Sequence, residues 1–90
     1  MANAESIKYW QREAGKIYFR YPKNRAKFDC STRCVMLGKL MEQAGEKYTY
    51  VAGLYKGKPH DWIQIGDTII DPSQIDTNVK HYKVLIRKER

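Results

Sequence analysis

Ninety residues, of which 42% are hydrophobic, are enough for one globular domain and too few for two. No apolar run approaches the roughly 18 residues that a membrane span needs, and no apolar signal core follows Lys8 and Arg12. The expectation is a soluble, cytoplasmic protein with no membrane partner. A chain this short buries only about 60 to 65% of the surface it exposes when unfolded, so its core must be thin. The formal charge of +7 gathers in Lys16, Arg20, Lys23, Arg25 and Lys27, and again in Lys80, Lys83, Arg87, Lys88 and Arg90. Such a balance favours acidic partners, nucleic acid included, although a solvated basic surface is its plainer explanation.

Along the chain, Ala4 to Ala14 reads as a short amphipathic helix with Ile7, Trp10, Gln11 and Ala14 on one side, ended by Gly15. Ile17 to Tyr21 reads as a brief extended piece, and Pro22 and Asn24 break the following basic, aromatic stretch into loop. Asp29 suits a helix N-cap, after which Cys34, Leu37, Met41 and Ala44 recur at helical spacing until Gly45. Tyr48 to Leu54, His60 to Ile65 and Thr68 to Asp71 read as strands, with a turn at Lys56 to Pro59 and a tight hairpin connection at Gly66-Asp67. Val79 to Ile86 completes the sheet, and Arg87 to Arg90 forms a charged tail. The fold class is α+β: a central helix packed on a small antiparallel sheet, within one domain spanning residues 1–90. Trp62, Gln64 and Ile69 share one face of the hairpin while Ile63, Ile65 and Ile70 share the other. One central helix covers only one of these faces, so the second calls for the N-terminal helix or a second copy of the chain, and a homodimer stays open.

Chemistry concentrates in three residues. A cysteine becomes nucleophilic near neutral pH when a helix N-terminus and an adjacent histidine lower its pKa. Cys30 directly follows the cap, whereas Cys34 lies one turn deeper and suits a small buried hydrophobe. Turning the hairpin at Gly66-Asp67 sets Trp62 opposite Asp71, which makes His60 a diagonal neighbour of Asp71 on one face. Asp71 then holds one ring nitrogen and leaves the other for the thiol, the division of labour of a catalytic triad. Asp61 points to the opposite face and does not compete. A zinc site built from Cys30, Cys34, His60 and His81 fits no common ligand spacing, so neither a metal nor a cofactor is expected.

The ordered set resembles a known family. Cys30 with Cys34, Leu37, Met41 and Gly45, fifteen residues on, followed by Tyr50-Val51-Ala52-Gly53, is similar to the central helix and first strand of transglutaminase-like proteins, which share the papain-like core. His60-Asp61-Trp62-Ile63-Gln64-Ile65 resembles the family's His-Ala-Trp strand, with Asp61 in place of the small residue, and Ile69-Ile70-Asp71-Pro72-Ser73 resembles its apolar-Asp-Pro-Thr segment. The resemblance implies a cysteine protease, amidase, isopeptidase or cross-linking activity on protein or peptide substrates. It implies Cys30 as nucleophile, His60 as general base and acid, and Asp71 as orienting acid. The backbone N–H of Cys30 is the first expected oxyanion donor; Tyr18, Tyr21 and Gln11 are candidates for the second, and Trp62 for a substrate contact. Hydrolysis is favoured over cross-linking, because ninety residues build little of the tunnel that must exclude water. The competing expectation is a non-catalytic module that binds nucleic acid or an acidic protein through its seven tyrosines and basic surface.

Overall fold

The computed structural model describes residues 4–21 and 29–90. The chain forms two helices, α1 (Ala4–Arg20) and α2 (Cys30–Gln43), and four strands, β1 (Thr49–Tyr55), β2 (Lys58–Ile65), β3 (Thr68–Ile70) and β4 (Tyr82–Glu89). The sheet is antiparallel throughout, in the order β3-β2-β1-β4. This is a small α+β domain, and no described helix is long and apolar enough to cross a membrane.

Helix α2 begins and ends where its residues dictate. The Asp29 carboxylate accepts the Thr32 N–H at 2.9 Å, satisfying one of the first-turn donors. At the other end Gly45 turns to a φ of 73°, which lets Glu46 N–H reach the Met41 carbonyl at 2.8 Å and Gly45 N–H reach that of Glu42 at 3.1 Å. That paired closure needs a left-handed residue, which glycine adopts without a Cβ clash.

Helix α1 runs five residues beyond the stop expected at Gly15, and Ile17 to Arg20 are helical rather than extended. Packing explains the difference. Trp10, Ala14 and Ile17 recur at i, i+4 and i+7 and are all buried with Cys34, Leu37 and Met41 of α2, so the apolar stripe continues through the glycine. Trp10 Nε1 also donates to Glu46 Oε1 at 3.0 Å, pinning α1 to the exit of α2. The loop expected at Pro22 to Phe28 lies outside the described residues.

In the β1–β2 hairpin Tyr55 pairs directly with Lys58, and both connecting residues, Lys56 and Gly57, take positive φ, as a type I′ turn requires. In β2–β3 Ile65 pairs with Thr68, Gln64 with Ile69 and Ile63 with Ile70, the register anticipated from the sequence. Gly66 alone has positive φ there, at 60°, the pattern of a type II′ connection, which explains why glycine precedes aspartate. The last strand is displaced from its expected place: Val79–His81 form a 3-10 turn capped by Asn78, and β4 continues through Arg87 to Glu89. Between Ala52 and Gly53 the β1–β4 register shifts by a bulge. Gly53 sits at this crowding point, where any Cβ would lie 2.1 Å from the Lys83 carbonyl oxygen and 2.8 Å from the Trp62 ring.

Both helices cover the same face of the sheet, joining Ile63, Ile65 and Ile70 in one cluster. The opposite face receives neither the N-terminal helix nor a third layer among the described residues. Val51, Trp62 and Ile69 are buried there against Tyr82 and Val84, all of them side chains of the sheet itself.

Candidate active site

Strand β3 ends at Ile70, so β2 has no partner on that side from Trp62 back towards Lys58. The open edge matters because α2 lies on one face of the sheet and His60 projects from the other. The N-terminus of α2 comes to this edge and brings Cys30 against His60 there, and the Asp61 backbone N–H also donates to the Cys30 sulfur.

On the far side of the imidazole, Nε2 lies 2.9 Å from Asp71 Oδ2, which leaves Nδ1 for the thiol. The Asp71 carboxylate is itself fully engaged: Tyr82 donates its hydroxyl to Oδ2 at 2.7 Å, and the Ser73 N–H donates to Oδ1 at 2.8 Å. Its side chain is wholly buried and that of His60 is 9% exposed, so these bonds act with little screening. The His60 ring stacks on the Trp62 indole at 6.1 Å and 21°, and Tyr82 meets the other part of Trp62 edge-on at 4.8 Å.

These contacts set the protonation states. The hydrogen bond with His60 lowers the Cys30 thiol below its ordinary value against the opposing effect of burial, with the Asp61 N–H assisting. Burial disfavours a charged His60, yet the bonds to Asp71 and Cys30 outweigh it and raise the imidazole to about 9. The pair is therefore disposed towards thiolate and imidazolium. Cys34 is the contrast: wholly buried one turn along α2, its thiol is pushed well up by desolvation and stays neutral. Burial likewise raises the Tyr82 hydroxyl, reinforced by Asp71, which keeps it a donor.

The structure thus brings Cys30, His60 and Asp71 together. Of the four accessory candidates it sets Trp62 under His60 and the other three in grooves along α1. Trp62 is fully buried and its Nε1 donates to Gln64 Oε1 at 2.9 Å, so it forms the floor beneath His60 and is not open to a substrate. Gln11 and Tyr18 line a groove of about 500 Å³ between α1 and the segment after β3, with Asp71 in its wall. Tyr21 lines a separate groove of about 720 Å³ between the helices, and its carbonyl accepts from the Arg33 guanidinium. The walls of neither groove include Cys30 or His60.

Three residues at the site escaped the sequence reading. Tyr82 is one of seven tyrosines, and only the β1–β4 register, which pairs it with Tyr55, aims it at Asp71. Arg33 is 1% exposed and joins the end of α1 to the start of α2; its position three residues after Cys30 was the only signal available. Ser31 donates its Oγ to Asp61 at 2.8 Å, a contact that crosses from α2 to β2. His81, by contrast, bonds Asp76 at 3.1 Å away from the thiols, and no group of three His, Cys, Asp or Glu among the described residues is arranged to hold a metal ion.

No family model, curated protein or solved structure matches the chain.

Proposed function

We propose that this protein is a cysteine-dependent acyl-transfer enzyme of the transglutaminase-like kind, a thiol hydrolase of peptide, isopeptide or side-chain amide bonds. The observation that carries this reading is His60 held between two groups, with Nε2 2.9 Å from a buried Asp71 and the other side of the ring on a thiol at a helix N-terminus. A structural histidine needs one partner. This one has two of opposite chemical use, a carboxylate that fixes its tautomer and a thiol whose proton it takes.

The Cys30 thiolate attacks the amide carbonyl carbon, forming the C–S bond, and the oxyanion falls to first-turn N–H groups of α2, Cys30 foremost. His60, already protonated, gives its proton to the departing amine as the C–N bond breaks. The product is a thioester on Cys30. Water then attacks it, His60 taking the proton and returning it to sulfur as the acid leaves. Asp71 stays ionised throughout and stabilises the imidazolium.

The test is a screen of peptide and isopeptide amides against the wild type and Cys30→Ala, with mass spectrometry of the quenched protein. The expected result is turnover that Cys30→Ala abolishes, together with an acyl adduct on the peptide that contains Cys30. Equal turnover by the two proteins would sink the reading. Salt-sensitive binding of nucleic acid or an acidic protein that ignores Cys30→Ala, with no amide cleaved, would install the non-catalytic module instead.

A further inference from the structure

Among the described residues Arg33 is the one Lys or Arg that is buried. It stands in the first turn of α2, with its backbone N–H on the Asp29 carbonyl at 3.1 Å, and three residues after Cys30 it lies beside the thiol on the helix surface. Its guanidinium donates through one terminal nitrogen to the Tyr21 carbonyl, and its Nε is buried with no hydrogen-bond partner.

This placement is costly twice over. A buried cation is unfavourable unless an opposite charge accompanies it, and the first turn of a helix already carries positive partial charge. No carboxylate meets the guanidinium directly. All ten Asp and Glu lie among the described residues, and the ion pairs there join Lys16 to Glu13, His60 to Asp71 and His81 to Asp76. The Tyr21 carbonyl would accept equally from a neutral amide, so that bond does not account for the charge.

A counterpart stands one turn away. Thiolate, imidazolium and the Asp71 carboxylate sum to one negative charge, in a part of the fold where the side chains of His60 and Asp71 are almost closed to water. Burial works against the charged guanidinium, while Tyr18 from α1, Asp71 after β3, and Cys30 and Asp29 at the start of α2 favour it. On the thiol side, β2 contributes His60, which favours the thiolate, and Asp61, whose charge opposes it. Cys34, next to Arg33, stays neutral.

We propose that Arg33 is a positioning residue of the reaction, whose buried guanidinium brings thiolate, imidazolium and carboxylate to neutrality and so holds Cys30 in its reactive form without touching substrate. The inference rests on Cys30 as the reacting thiol. It gives α2 a second hold on the nucleophile, beyond its N-terminal N–H groups.

Alkylation by iodoacetamide reads the ionisation of Cys30 without a known substrate. The sulfur displaces iodide, one S–C bond forming as the C–I bond breaks, and the adduct is mapped by mass. Rates are followed from pH 4 to 10 on the full chain for wild type, Arg33→Gln, Arg33→Met and Arg33→Lys. Gln keeps a donor for the Tyr21 carbonyl, Met keeps only bulk, and Lys keeps the charge. In both neutral variants the midpoint should rise by roughly 0.5 to 1 pH unit, slowing alkylation below the midpoint about 3- to 10-fold. Arg33→Lys should hold the wild-type midpoint. A purely structural arginine would lower stability in denaturant melts and leave the midpoint in place. A midpoint unmoved in folded Arg33→Gln, or one moved equally in Arg33→Lys, would therefore overturn the proposal. If neither neutral variant folds alone, Arg33→Met combined with Asp71→Asn decides: removing one negative charge should restore the fold, and a double variant that stays unfolded would overturn the proposal. Failure of the enzymatic reading looks different, because wild-type Cys30 would then ionise near the ~8.5 of a free thiol. Failure of the present inference alone leaves a low wild-type midpoint that the neutral variants share.

Discussion

On the face of the sheet that carries Ile63, Ile65 and Ile70, two helices gather ten buried residues into one cluster; the apolar cluster of the opposite face is smaller, Val51, Trp62 and Ile69, with Tyr82 and Val84 packed beside them. The two faces are held by different forces. The helix-covered face is secured by apolar contact, in which Leu37, Met41 and Cys34 lose all exposure. The bare face is secured by directed bonds, His60 and Tyr82 to Asp71, Ser73 N–H to Asp71 and Trp62 to Gln64, together with ring stacking. Directed bonds fix angles as well as distances, so the face too thin to make a large core is the one suited to hold an imidazole still. Cys30 joins it from the other layer, across the edge that β3 leaves open.

Breaking the comparison calls for one substitution on each face. Asp71→Asn keeps the shape of a buried side chain yet favours the wrong imidazole tautomer, and should lose on the order of 10² to 10⁴ in amide turnover while still acylating with an activated ester. Leu37→Ala on the helix-covered face should cost about 2 to 5 kcal/mol of stability. Its folded fraction should turn over within a few-fold of wild type. Denaturant melts alongside initial rates decide the matter: undiminished turnover in Asp71→Asn would remove Asp71 from the site, and a large rate loss in folded Leu37→Ala would show that the faces are not separable.

The protonation of His60 gives a second, smaller effect. Its raised pKa of about 9 means that the imidazolium needed by the leaving amine persists through neutral pH and is lost as pH rises through that value. Amide turnover should therefore fall about tenfold per unit above pH 9, whereas alkylation of Cys30 by iodoacetamide, which needs no acid, should hold level. Stability follows the same sign. Because the folded value lies above the ordinary 6.5, the contribution of His60 is complete below that pH and disappears as pH passes about 9. Urea titrations at pH 6, 8 and 10 would check it, and His60→Ala should flatten this part of the profile.

Much of this arrangement was legible in the sequence, and what was not has a common cause. The Asp29 cap, the helical spacing to Gly45 and the two-residue turn at Gly66-Asp67 are local signals, and they were sufficient to set Cys30, His60 and Asp71 in order. Local signals also placed Asp61 away from His60. The errors lie where distant contacts decide. Gly15 is a poor helix residue in isolation, and only the burial of Ile17 beside Trp10 and Ala14 carries α1 past it. For the second face α1 was one expected cover, but α1 packs on the first face, and nothing in the residue pattern shows that the sheet's own aromatics bury Trp62. Tyr82 depends on the β1–β4 pairing and its bulge, a register fixed by a long connection and by Gly53, and so invisible to any short window.

Tyr82 supplies the smallest effect and the finest test of the bare face. Its hydroxyl and His60 Nε2 share one oxygen of Asp71, at 2.7 and 2.9 Å. While Tyr82 donates, it draws charge from that oxygen and moderates the pull of Asp71 on the imidazolium. Tyr82→Phe keeps the ring against Trp62 but removes the donor. Asp71 then holds the imidazolium more tightly, and the alkaline limb of amide turnover should move upward by a fraction of a pH unit. Turnover at pH 7 should fall about 3- to 10-fold, because one bond to a buried carboxylate is lost while His60 and Ser73 still hold it. A purely structural tyrosine would lower stability and leave the limb in place. The pH profile of Tyr82→Phe therefore separates the two roles: a limb that moves up makes Tyr82 a positioning residue acting through Asp71, and a limb that stays leaves it only a wall for Trp62.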